Sequence, residues 1–132
     1  MKTYEGGCHC GRVRFSIESE MQSATQCNCS ICTKKGVINH RVAPERFRIA
    51  APGEQSLVLY QFNTMTAKHW FCKHCGIQVF SNPRRAPDQC AVNLRCLDDF
   101  YAIIDAVKIN RFDGRRWEES VRLAEEAARR GT

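Results

Sequence analysis

Apolar and polar positions alternate in short runs along most of the chain. Val13, Phe15 and Ile17 alternate with Arg12, Arg14 and Ser16, the period of two expected of a strand with one wetted face. Runs of similar character predict further strands at Val37 to Val42, Arg46 to Ala50, Ser56 to Phe62, Ala67 to Phe71, Ile77 to Ser81 and Cys90 to Arg95. Pro52-Gly53 reads as a turn between two of them, and Asn82-Pro83 ends another. The run from Tyr101 to Ile109, YAIIDAVKI, is apolar and short, which predicts one more strand rather than a helix. Only the tail changes period. In RRWEESVRLAEEAARR, Trp117, Val121, Ala124 and Ala128 recur at helical spacing, with Glu118 and Glu119 near the start and Arg129 and Arg130 at the end. That charge order complements a helix dipole. The pattern predicts a mainly β fold, an antiparallel sandwich or open barrel, with a C-terminal packing helix.

A length of 132 residues fits one domain spanning 1–132, and no linker or low-complexity segment divides it. The balance of 20 basic against 14 acidic residues, a net charge of +6, favours an anionic partner without choosing among nucleic acid, an acidic surface and a small anion. The excess is concentrated from Lys34 to Arg48, where Lys34, Lys35, Arg41, Arg46 and Arg48 face Glu45 alone. Phe47 is the only aromatic in that run, so a base-stacking platform is not evident. The opening MKTYEGGCHC lacks the apolar core of a signal peptide, and no run approaches a membrane span. These features point to the cytosol, where clustered cysteines bind metal more often than they pair. Nine cysteines, an odd number, also suit a disulfide framework poorly.

Seven of the nine fall in three clusters: Cys8-His9-Cys10, Cys27-Asn28-Cys29-Ser30-Ile31-Cys32 and Cys72-Lys73-His74-Cys75-Gly76. Tetrahedral zinc with Zn–S bonds near 2.3 Å requires sulfurs roughly 3.8 Å apart. A Cys-x-x-Cys turn achieves this by curling the backbone, and Gly76 frees φ for the curl. A Cys-x-Cys pair in extended chain places both side chains on one side, and Gly11 allows the bend. Cys8, Cys10, Cys72 and Cys75 therefore make one structural zinc site that staples the N-terminal strand to the second half of the chain. Grouping the middle cluster with one of these thiols would strand a half-site.

Cys27, Cys29 and Cys32 are left as three thiols without a fourth. Three protein ligands and a free position describe a catalytic zinc, and a soft substrate thiolate suits that position. Closure by His40, His69, Cys90 or Cys96 is the alternative, and spacing leaves the two open. His9 and His74 sit inside metal loops as solvent-facing or backbone-capping side chains. Cys90 and Cys96 read as small buried hydrophobes, and Trp70, Phe71 and Phe80 as core. No glycine-rich phosphate loop, nucleophile elbow or His-Glu metalloprotease motif is present.

The segments GGCHCGRVRF, CNCSICTKKG, FCKHCGIQVF and NLRCLDD, in this order and at these intervals, resemble the glutathione-dependent formaldehyde-activating enzyme family from Gly6 to about Asp99. The resemblance implies Mss4-like antiparallel β-sheets around zinc and two Zn2+ per chain. The structural ion would lie on Cys8, Cys10, Cys72 and Cys75, as spacing already suggested. The catalytic ion would lie on Cys27, Cys29 and Cys32, where the glutathione thiol approaches. It also implies a carbon–sulfur lyase that reversibly adds formaldehyde or a similar aldehyde to glutathione or a similar thiol. The rival expectation is a zinc-stabilised binding module in which the Lys34 to Arg48 segment grips nucleic acid or an acidic protein.

Overall fold

The computed structural model describes residues 1–130; the last two residues of the expected domain lie outside them. The first half of the chain forms β1 (Lys2–Gly7), β2 (Arg14–Ser19), β3 (Ser23–Cys27), α1 (Ser30–Lys35), β4 (Asn39–Val42), β5 (Phe47–Ile49) and β6 (Leu57–Tyr60). The second half forms β7 (Lys68–Cys72), β8 (Gln78–Asn82), β9 (Cys90–Asn93), α2 (Phe100–Ile103), β10 (Lys108–Phe112) and α3 (Trp117–Arg130). Two sheets result, one of three strands in the order β1-β2-β5 and one of seven in the order β10-β3-β4-β9-β8-β7-β6. Neighbours run antiparallel except β10, which lies parallel to β3. The expected mainly β fold of antiparallel sheets with a C-terminal helix is the one observed.

Alternation along the strands gives the larger sheet two different faces. His40, Val92, Phe80 and Trp70 are paired in register across β4, β9, β8 and β7. This row faces the smaller sheet. The ring of Phe47 on β5 meets Phe80 edge-on at 4.5 Å and Phe15 on β2 at 5.6 Å. Ile17, Val13, Val79, Val92 and Leu94 are fully buried in the same core, each worth about 2 kcal/mol of apolar burial. The next row, Arg41, Ala91, Ser81 and His69, is paired across the same four strands and points the other way. Two small residues in its middle leave room above the sheet.

The run from Tyr101 to Ile109 is not a strand throughout. Phe100–Ile103 is helical, Ile104–Ala106 is a 3-10 turn, and extended chain begins only at Lys108. Phe100 and Val107 are buried and Ile103 and Ile104 half-buried, while Tyr101 is 89% exposed. Spacings of three and four explain the helical turn. The tail helix forms as expected, with Trp117, Val121 and Ala124 of its apolar face half-buried and Ala128 exposed. It spans Trp117–Arg130 and buries no residue fully; it meets the body at its first turn, where Arg84 stacks on Trp117 at 3.7 Å and pairs with Glu118. Among the described residues no helix is long and apolar enough to cross a membrane.

Candidate metal centres and the cavity beside one of them

Cys8 and Cys10 lie in the turn between β1 and β2, Cys72 ends β7, and Cys75 lies in the turn from β7 to β8. Their four Sγ atoms lie within 4.8 Å of one another. Cys10 Sγ is 3.6 Å from Cys8 Sγ and 3.7 Å from Cys72 Sγ, close to the ~3.8 Å edge of a zinc–thiolate tetrahedron. Gly11 and Gly76 take φ of 82° and 79°, as the tight turns require. Backbone N–H groups of Val13 and His74 donate to Cys8 Sγ and Cys72 Sγ at 3.3 and 3.4 Å, a pattern that suits thiolates. This donor set fits a closed zinc site.

The second cluster is built from one strand end and one helix start. Cys27 closes β3, Cys29 caps α1, and Cys32 occupies its first turn. Thr33 N–H donates to Cys29 O, and Gly36, at φ 68°, ends the helix by donating to Cys32 O. The three sulfurs also lie within 4.8 Å of one another, and among the described residues no histidine, cysteine or carboxylate joins the group. Hydrogen bonds from the Cys27 and Cys32 thiols hold Cys29 down at about 2, and the same neighbours push Cys32 far up. Three sulfurs this close cannot all ionise without a cation to share them. The set thus fits a metal with a position left over.

None of the four expected closing residues completes the triplet. His40 is satisfied elsewhere: Nδ1 donates to Ser23 O at 2.7 Å, so Nε2 accepts from Ser19 Oγ at 2.6 Å. Cys90 is buried in the core, and Cys96 lies against Gln78 O and Asn93 Nδ2. His69 stands in the wall of a cavity that the triplet shares.

That cavity, about 870 Å³, has the Arg41–Ala91–Ser81–His69 row as its floor and the triplet at one side. Phe62, Phe112 and Trp117 add apolar wall, and Arg84, Arg85 and Arg115 add charge. Burial, and then the charge of Arg85, lower the pKa of Arg41. Among the described residues neither arginine is paired with a carboxylate. Two cations facing each other without a counter-ion favour a bound anion. The Lys34 to Arg48 run is meanwhile divided. Lys35 donates to Gln78 Oε1, Arg41 turns into the cavity, and Arg46 and Arg48 belong to the other sheet's side.

The segment after β10 was not anticipated in the site. Phe112 O accepts from Asn28 N–H at 3.2 Å and Asn28 Oδ1 accepts from Arg115 N–H at 3.1 Å, which straps 112–116 over the triplet loop. Gly114 lies so close that a Cβ there would sit 2.5 Å from Cys27 Sγ and 2.7 Å from Cys29 Cβ. We expect Gly114→Ala to lower metal content at the triplet while shifting Tm by no more than a few degrees. Metal analysis beside a melting curve checks this, and wild-type metal content would refute it.

The family model described as glutathione-dependent formaldehyde-activating enzyme matches residues 3–111. A crystal structure of a Rhodobacter sphaeroides protein is also similar. It is 35% identical, covers 80% of this chain and 99% of its own, and superposes with a TM-score of 0.71. The matched stretch holds both cysteine groups and the sheet row beneath the cavity, so the chain belongs to the glutathione-dependent formaldehyde-activating enzyme family.

Proposed function

We propose that the chain is a zinc-dependent carbon–sulfur lyase that reversibly joins formaldehyde or a similar small aldehyde to the thiol of glutathione. Cys8, Cys10, Cys72 and Cys75 hold one zinc for structure, and Cys27, Cys29 and Cys32 hold a second beside the substrate. When bound there, that zinc lowers the pKa of a thiol taking its open position and keeps the sulfur in place. The single observation that carries this reading is the opening of the three-sulfur group onto a cavity whose far side holds Arg41 and Arg85 without counter-ions. A thiol bearing carboxylates at a distance matches both ends at once, as glutathione does.

The chain's own residues bind and orient. Arg41 and Arg85 receive a carboxylate, Ala91 and Ser81 leave space for the peptide stem, and the strap at Gly114 covers the sulfurs from one side. The cavity volume suits a tripeptide-sized ligand. Nine free thiols call for a reducing compartment such as the cytosol. The basic run does not form one continuous face, so no observation favours a nucleic-acid module.

Cobalt substitution tests the reading. We expect two ions per chain, one of whose visible spectra shifts toward four-sulfur coordination when glutathione is added, with adduct formation accelerated over the uncatalysed background. Two cobalt ions whose spectra ignore glutathione would overturn it.

A further inference from the structure

His69 is the one buried histidine with an unused nitrogen. It is 7% exposed, lines the cavity that the triplet opens into, and its Nδ1 has no hydrogen-bond partner. A buried ring nitrogen left unpaired costs on the order of 1–3 kcal/mol, so its presence in a cavity wall calls for a ligand group. His40, one row away on the opposite face, shows what a purely structural histidine looks like here, with both nitrogens bonded within the protein. Asn39 Oδ1, in the same cavity wall, is the other buried side-chain atom without a partner. Every buried orphan found among the described residues therefore lies in this cavity.

The surroundings fix which way His69 works. Phe62 stacks on its ring with centroids 5.7 Å apart and planes at 23°, which holds the imidazole in one plane. Burial, and then the charge of Lys35, lower the pKa of His69, which keeps the imidazole neutral. A neutral ring has one N–H and one lone pair, and we assign the lone pair to the unpartnered Nδ1. Gln78 Oε1 accepts from Lys35 Nζ, which ties α1 to β8.

We propose that His69 Nδ1 is the acceptor for the hydroxyl of the thiol–aldehyde adduct, and the base that receives its proton when the adduct breaks down. In that direction the C–S bond breaks with its electron pair going to sulfur, the O–H proton passes to Nδ1, and the carbonyl forms. In the addition the same proton returns from Nδ1 to the oxygen as the C–S bond is made. No oxidant or reductant is needed. This inference rests on the carbon–sulfur lyase reading above.

The test replaces His69 in the zinc-loaded protein in three ways and follows adduct breakdown by trapping the released aldehyde. His69→Asn keeps an acceptor at the δ position, His69→Gln keeps one only at the ε position, and His69→Leu keeps neither. We expect His69→Leu and His69→Gln to lose about 10²-fold in kcat, the usual contribution of a positioned base, with KM little changed. His69→Asn should lose as much, because an amide oxygen accepts a hydrogen bond but takes no proton, and all three variants should lose the wild-type pH dependence of kcat. Thiol binding, read from the cobalt spectrum, should be the same in all. Equal kcat in wild type and His69→Leu would overturn the proposal, as would three variants that fall together in step with Tm or thiol binding. A wild-type protein that binds no thiol and releases no aldehyde would sink the lyase reading and this inference with it. Normal wild-type turnover unaffected by the substitutions would sink this inference alone.

Discussion

Cys72→Ser should leave a chain that no longer melts cooperatively. Cys72 is fully buried at the end of β7, and its sulfur lies 3.7 Å from that of Cys10 across more than sixty residues of chain. Removing it breaks the only covalent-strength link that the four sulfurs can make between the two sheets. Structural zinc contributes on the order of 10 kcal/mol in small domains, comparable to the whole net stability of a typical domain, about 5–15 kcal/mol. A serine hydroxyl in that buried place neither ligates as a thiolate would nor packs as one. We expect aggregation or a molten chain with zinc lost, seen by circular dichroism during heating and by metal analysis. A soluble Cys72→Ser protein with unchanged Tm would count against the four-cysteine assignment.

Cys29→Ser has the opposite signature. Activity should fall to the uncatalysed background and one of two zinc ions should go, while Tm moves by only about 2–4 °C. Cys29 caps α1 without any side-chain cap hydrogen bond, and serine is among the best residues for that place. The helix start therefore gains a cap as the metal group loses a sulfur. The staple between the sheets lies elsewhere and is untouched. Zinc content and glutathione titration of the variant decide the matter: two tightly held ions and normal thiol binding would show that the triplet is not the reacting centre.

The two substitutions separate what local spacing revealed from what it concealed. Both cysteine groups were legible because ligand spacing is a property of a few adjacent residues, and the glycines at 11 and 76 mark their turns. The alternating strands were legible for the same reason, to within a residue or two at each end. β1 and β3 were not, because KTYEGG and SATQC show no apolar alternation. α1 was hidden by its six-residue length. Tyr101 to Ile109 misled because a short apolar run carries no decisive period unless the window begins at Phe100. Most of the cavity was invisible for a different reason. Arg41, Ser81, Ala91 and His69 come together only through strand register, and Gly114 reaches Cys27 only because β10 pairs with β3 eighty-five residues away in sequence. His69 had been singled out, but as a candidate ligand; its place in the floor row and its unpaired Nδ1 give it a different task.

The parallel pairing of β10 with β3 sets a length rule for the chain. Phe112 stands opposite Cys27, and two residues later Gly114 passes the sulfurs with no space for a side chain. Strand faces alternate, so inserting or deleting one residue between Val107 and Asp113 would turn every side chain of β10 to the wrong face or present Asp113 or Arg115 to Cys27 in place of glycine. Beyond Phe62, which stacks on His69, the 63–66 stretch between β6 and β7 has no such register constraint and can change length at less cost. Among relatives that keep this strap, gaps should therefore collect in the β6–β7 loop and be absent from the seven residues leading to the glycine. That difference in indel tolerance can be read from sequences alone.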